Sequence, residues 1–203
     1  MENILKSSVI VLMIILAVIA LTQPDSTTEK NISQKLNEGI ALCNQGKYQE
    51  AINLYNEILK DNPKNFALTL RGVAYTGLQN YDAAITDFSK AIEISNKNDY
   101  VAYNSRGMAY TFLKQYDAAI SDFSKAIEIN PEDASIYSNR GNTYLSLKQY
   151  DNALADLNKS IEIDPKFSSA YVNRGYLYED LGETEKASAD FAKAKELGYN
   201  GQK

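Results

Sequence analysis

Between Val101 and Pro131 the apolar and polar positions follow a helical period, break, and resume it. The stretch reads V-A-Y-N-S-R-G-M-A-Y-T-F-L, then K-Q-Y-D, then A-A-I-S-D-F-S-K-A-I-E-I-N-P. The same order returns from Ser135 to Pro165. In the preceding copy Ala84, Phe88 and Ala91 stand at i, i+4 and i+7, one face of a helix. A pattern that repeats every ~34 residues predicts an array of helix pairs packed on their neighbours, not one globular core.

From about Asn31 the pattern gives five helix-turn-helix units, marked by Gly39, Gly72, Gly107, Gly141 and Gly175. Each glycine is followed at fixed offsets by an alanine (Ala51, Ala84, Ala119, Ala153, Ala187) and by a large apolar residue (Tyr55, Phe88, Phe123, Leu157, Phe191). Glycine and alanine remove bulk where two helices cross, and the large residue fills the space beside the crossing. Pro63, Pro131 and Pro165 end units, because proline lacks the helix N–H and restricts the residue before it. Asn96 replaces proline in the second unit, where the glycine spacing is also longest, which predicts a longer and looser joint around Ser95–Asp99. Leu113–Asp117 and Leu147–Asp151 read as turns between paired helices, with Asp117 and Asp151 as acceptors for free N–H groups of the second helix.

These residues resemble the tetratricopeptide repeat family over roughly Asn31 to Leu197. The resemblance implies an all-α fold, an α-solenoid of about five helix-turn-helix units stacked into a right-handed superhelix. The expected units are 32–64, 65–99, 100–133, 134–167 and 168–198, within an array spanning 31–203. The first unit departs from the pattern with Glu38 and Leu42, and the last has Thr184 where the others have a turn tyrosine. The last unit is followed only by Gly198–Lys203, so its final helix either caps itself or meets another molecule.

Ahead of the array, Val9 to Leu21 is uninterruptedly apolar, and Ser7 to Pro24 carries no charge. Lys6 and the α-amino group precede the run. That predicts a signal peptide or single membrane anchor over 1–23, the N-terminus cytoplasmic and the repeats translocated. The protein would then be exported, to a periplasm or cell exterior, or held in a membrane with its repeats outside the cytoplasm. Residues 24–30 read as a flexible linker.

Composition narrows the chemistry. The chain has no histidine, which removes Ser-His-Asp and Cys-His catalysis and histidine metal sites. Cys43 is the single cysteine and reads as a packing residue. A net charge of −5 without a basic run argues against nucleic acid. There is no Gly-rich phosphate loop and no metal-ligand cluster, so no enzyme, cofactor or metal is expected.

Two sets of residues invite a functional reading. Arg71, Arg106, Arg140 and Arg174 precede a glycine, and each unit that has this arginine also has an aspartate: Asp87, Asp122, Asp156 and Asp190. The arginines are either a ladder for carboxylates or halves of structural ion pairs. Joint loss in the first unit, as Glu38 and Leu54, favours pairing. Secondly, the resemblance implies that the first helix of each unit lines a concave surface. The positions it assigns to a partner are Thr69, Val73, Asn104, Met108, Phe112, Ser138, Asn142, Val172 and Tyr176. Relatives that clamp C-terminal carboxylates use lysines there, which are absent here. The resulting expectation is a scaffold holding a protein or peptide through hydrogen bonds in a mostly neutral groove. The competing reading is a cell-envelope assembly component that acts by self-association or lateral packing.

Overall fold

The computed structural model describes residues 27–61 and 65–200. All ten elements among them are α-helices. The hydrophobic segment read as a signal or anchor lies outside the described residues. No helix among the described residues is long and apolar enough to cross a membrane.

The chain divides into two compact units at Leu113/Lys114. The first holds α1 (Thr27–Asn44), α2 (Tyr48–Asp61), α3 (Asn65–Gly77), α4 (Tyr81–Ile94) and α5 (Tyr100–Phe112). The second holds α6 (Tyr116–Ile129), α7 (Ala134–Ser146), α8 (Tyr150–Ile163), α9 (Ser168–Asp180) and α10 (Thr184–Glu196). Odd-numbered helices are the first helices of repeats and even-numbered ones the second. Within each unit a helix packs on its chain neighbours, and each first helix also packs on the next first helix: α1 on α3, α3 on α5, α7 on α9.

The crossings are set by the glycines. A Cβ on Gly72 would stand 2.6 Å from the Phe88 ring, and one on Gly39 would stand 2.5 Å from Tyr55. No real side chain fits at such distances, so α3 and α4 approach closely only because position 72 is bare. Phe88 and Tyr55 are fully buried in the space so made. Burial of a side chain this size contributes about 2–3 kcal/mol.

The turn inside each pair is closed by a left-handed residue seven positions after the glycine: Gly46, Gln79, Lys114, Lys148 and Gly182 all have φ between 58° and 77°. In the turn after α7, Gln149 N–H reaches Tyr144 C=O at 2.9 Å and Lys148 N–H reaches Leu145 C=O at 2.8 Å, a Schellman arrangement that satisfies the last carbonyls. Glycine at 46 and 182 takes this conformation without the Cβ penalty the other three carry.

Three sequence expectations differ from the structure. The first helix starts at Thr27, inside the stretch read as a linker; nothing between Pro24 and Gly39 breaks a helix. Asp117 and Asp151 do not cap. The N-cap positions belong to Gln115 and Gln149, neither with a side-chain cap bond, and the aspartates sit in the first turn, where their charge favours the helix dipole. The joint around Ser95–Asp99 is longer but hydrogen-bonded throughout. Asn96 and Lys97 are both left-handed (φ 52° and 64°), Lys97 N–H meets Ile92 C=O at 2.8 Å, and Asp99 caps α5 through Ala102 N–H at 2.9 Å.

Candidate protein-interaction surface

Three of the first-helix arginines, Arg71, Arg140 and Arg174, hold both an aspartate of their own repeat and a side chain of the preceding one. In α7, Arg140 Nε donates to Asp156 Oδ2 at 2.7 Å and Nη2 to Asp156 Oδ1 at 2.9 Å, a bidentate clasp onto α8 of the same repeat. Its Nη1 donates to Ser124 Oγ of α6 at 2.9 Å, reaching the preceding repeat. Arg174 holds Asp190 at 2.8 Å twice and Asn158 at 2.7 Å in the same manner. Arg71 holds Asp87 at 2.7 Å twice and Asn56 at 2.6 Å. Arg106 donates to Ser89 Oγ at 2.9 Å in the first unit. Asp122, its counterpart in sequence, belongs to the second unit.

Arg71 also lies over one aromatic ring, that of Tyr75, and the other three guanidinium groups lie over two each. Arg140 is 6.0 Å from the Tyr137 centroid and 5.9 Å from Tyr144; Arg174 is 5.7 Å from Tyr171 and 5.8 Å from Tyr178. The hydrogen bonds these guanidinium groups donate to the aspartates push the pKa of Arg71, Arg140 and Arg174 up, against the opposing effect of burial. With both edges engaged and the faces covered, these cations are committed to holding helices together. The acceptors on the preceding repeat, at Asn56, Ser89, Ser124 and Asn158, were missed in the sequence. Their common place, seventeen residues after each glycine, was the available signal.

The nine positions assigned to a partner divide by burial. Thr69, Val73, Asn104, Ser138 and Val172 are buried, at 0–6 % exposure, and present no surface. Ser138, Val73 and Val172 face other helices of their own unit instead. Asn173 Nδ2 of α9 donates to Ser138 Oγ of α7 at 3.0 Å. Val73 lies in the apolar cluster that also holds Val101 and Ala109 of α5. Val172 packs with Ala194 of α10. Met108, Phe112 and Asn142 are half-buried, and Phe112 stacks on Tyr81 at 5.2 Å. Tyr176 alone of the nine is well exposed, at 47 %.

In the second unit this leaves one coherent face on two adjacent first helices. Asn142 on α7 and Tyr176 on α9 share the same register, one residue after the glycine. Ser146, Glu179 and Asp180 stand one helical turn further on and are exposed. The Asn142 carboxamide has no hydrogen-bond partner among the described residues, whereas Ser146 Oγ donates to Asn142 C=O at 3.1 Å. Tyr176 meets Phe191 of α10 edge-on at 5.2 Å. Phe191 in turn occupies the gap over Gly175, where a Cβ would stand 2.6 Å from its ring.

Cys43 is buried beside Tyr55 in the first unit. Burial pushes its thiol up to about 12, only partly offset by the Tyr55 hydroxyl, and burial likewise pushes the Tyr55 phenol up. That is the environment of an inert thiol. Among the described residues no cluster of acidic, cysteine or histidine side chains is grouped to hold a metal.

Family profiles described as tetratricopeptide repeat match residues 36–99, 100–133, 134–167 and 157–187. The chain belongs to the tetratricopeptide repeat family. The small glutamine-rich tetratricopeptide repeat-containing protein of Dictyostelium discoideum is 44 % identical over 66 residues, covering 32 % of this chain and 20 % of that protein. Sperm-associated antigen 1 of Rattus norvegicus is 37 % identical over 81 residues, covering 39 % of this chain and 9 % of that protein. The chain therefore matches a fifth or less of the length of these relatives. Among solved structures, a crystal structure of MamA aligns with a TM-score of 0.65 and 29 % identity, covering 78 % of this chain and 93 % of that one. A thermophilic TPR protein of Thermus thermophilus aligns with a TM-score of 0.75 and 23 % identity, covering 83 % and 92 %, which speaks to the fold alone. A tetratricopeptide repeat fold points to a protein–protein interaction scaffold.

Proposed function

We propose that this chain is a non-enzymatic scaffold that binds a protein or peptide segment on the first-helix faces of its repeats, with α7 and α9 forming the principal contact. The observation that carries this reading is the pairing of Asn142 and Tyr176. They occupy one register on neighbouring helices, and both keep their recognition groups outside the internal hydrogen-bond network. A carboxamide donates and accepts, so it suits a peptide backbone, while an exposed tyrosine offers apolar area with a polar tip. Asn142→Ala and Tyr176→Ala in the full chain should weaken partner capture in the native host without lowering the melting temperature. Unchanged capture by both variants sinks the proposal.

The location we propose rests on the apolar run Val9–Leu21 with Lys6 ahead of it. The repeats work outside the cytoplasm, either anchored or released. A C-terminally tagged chain, fractionated from its host, separates the cases by mature mass and protease access. Repeats cut only after the cytoplasmic face is opened contradict this placement.

A further inference from the structure

The α7–α9 face has a charge character that narrows its partner, an argument that rests on the peptide-binding reading above. Each of the two helices carries a single cation, Arg140 and Arg174, and both are clasped by their own aspartates. Neither guanidinium is left to offset charge at the surface. On α9, Glu179 and Asp180 follow Tyr176 at i+3 and i+4, which puts both carboxylates on the same side of the helix as the exposed ring. Both are exposed. The nearest lysine in sequence, Lys186, pairs with Glu183 and lies over Tyr178 at 5.2 Å, so it is spoken for.

The ring itself is held in place. Phe191 seats over the bare backbone of Gly175 and meets Tyr176 edge-on at 5.2 Å, with the rings inclined by 66°. Phe191 is only partly covered, unlike Phe88 and Phe123 at the same register, which are buried. Tyr199 is partly buried against the cluster of Tyr171, Val172 and Ala194. A fixed aromatic face next to two uncommitted carboxylates attracts a cation through the ring quadrupole and through charge together.

We propose that this face docks a basic segment of a partner polypeptide, with one arginine or lysine side chain laid over Tyr176 between Glu179 and Asp180, and the segment's backbone passing the Asn142 carboxamide. The same carboxylates repel nucleic acid and anionic lipid. A polypeptide supplies both the cation and the backbone groups that Asn142 can pair with.

The test uses the full-length chain in a nonionic detergent and fluorescein-labelled decapeptides of alternating serine and arginine, read by anisotropy. The matched control peptide carries citrulline, the neutral isostere, in place of arginine. The arginine peptide should bind about tenfold tighter than the citrulline peptide, and the combined substitution Glu179→Gln with Asp180→Asn should lose most of that margin and flatten the salt dependence. Tyr176→Leu should weaken the arginine peptide about threefold while leaving the salt dependence in place. Glu128→Gln with Glu162→Gln, on exposed second-helix positions, should change nothing. Equal binding of the two peptides, or no binding of either, overturns the inference. An equal loss with the control pair also overturns it, because general attraction to an acidic chain would then suffice. If the two peptides bind equally but Tyr176→Leu still weakens both, the peptide-binding reading survives and only its basic partner is wrong.

Discussion

Arg140 holds Asp156 through two parallel hydrogen bonds of 2.7 and 2.9 Å, and both side chains are largely withdrawn from solvent, at 19 % and 9 % exposure. The third arm of the same guanidinium reaches Ser124 on the preceding repeat. One side chain thus joins the two helices of its own repeat and stitches that repeat to its neighbour. Arg140→Ala strips the Asp156 carboxylate of its cation in a nearly buried place. The loss should be about 3 kcal/mol, the lower end of the range for a broken buried pair because some water reaches it. Urea unfolding of the variant checks this. Replacing Arg140 and Asp156 together by leucine and methionine should recover most of the loss, since no stranded charge remains.

Ser124→Ala removes the link to the preceding repeat together with the local bond from Ser124 Oγ to Ile120 C=O, leaves the Arg140–Asp156 clasp in place, and should cost about 1 kcal/mol, the net worth of one hydrogen bond. A loss as large as that of Arg140→Ala contradicts the division of labour described above.

Much of this clasp is legible in the sequence, because arginine and aspartate recur together and vanish together in the first repeat, as Glu38 and Leu54. The stitch is not legible in the same way. Its acceptors are asparagine in two places and serine in two, and the first repeat keeps Asn56 although it lacks the arginine, since Asn56 serves Arg71 of the next repeat. The last repeat has Ala192 at that place. The groove was legible only as a register. A helical wheel gives the side that Thr69, Ser138 and Val172 occupy but not the neighbouring helix that covers it. Burial at these positions comes from packing between repeats, which no single helix encodes. The segment ahead of Thr27 has a plain hydrophobic pattern but lies outside the described residues.

The glycine crossings should rank by what faces them. Gly72→Ala drives a Cβ to within 2.6–2.9 Å of three atoms of the Phe88 ring, whereas at Gly141 only Leu157 Cγ, at 2.9 Å, comes closer than 3.2 Å. Gly72→Ala should destabilise by about 3 kcal/mol and Gly141→Ala by about 1 kcal/mol, as overpacking at unequal sites. Chemical denaturation of the two variants decides it, and the reverse order contradicts the account of the crossings.

Cys43 makes stability depend on alkaline pH. Its thiol pKa rises from the ordinary 9.0 to about 12 in the folded chain. Above pH 9 the unfolded chain gives up this proton while the folded chain keeps it, so the unfolded state binds fewer protons and stability falls as pH rises. Cys43→Ala should flatten the decline between pH 9 and pH 11, with the Tyr55 phenol contributing a residual slope in the same sense. The native thiol should also resist Ellman's reagent at pH 8 and react fully once the chain is unfolded. Rapid reaction in the folded state places the thiol at the surface and contradicts the packing.

The central claim is that a partner meets the α7–α9 face at Asn142 and Tyr176 and does not reach the buried positions beside them. A photo-crosslinking amino acid placed singly at 142, at 176 and at the outward second-helix position 162, in the full chain and the native host, measures this directly. The account predicts adducts to the same polypeptide from 142 and 176 and none from 162. Adducts from 162 alone, with 142 and 176 silent, would place the interface on the second helices and contradict it.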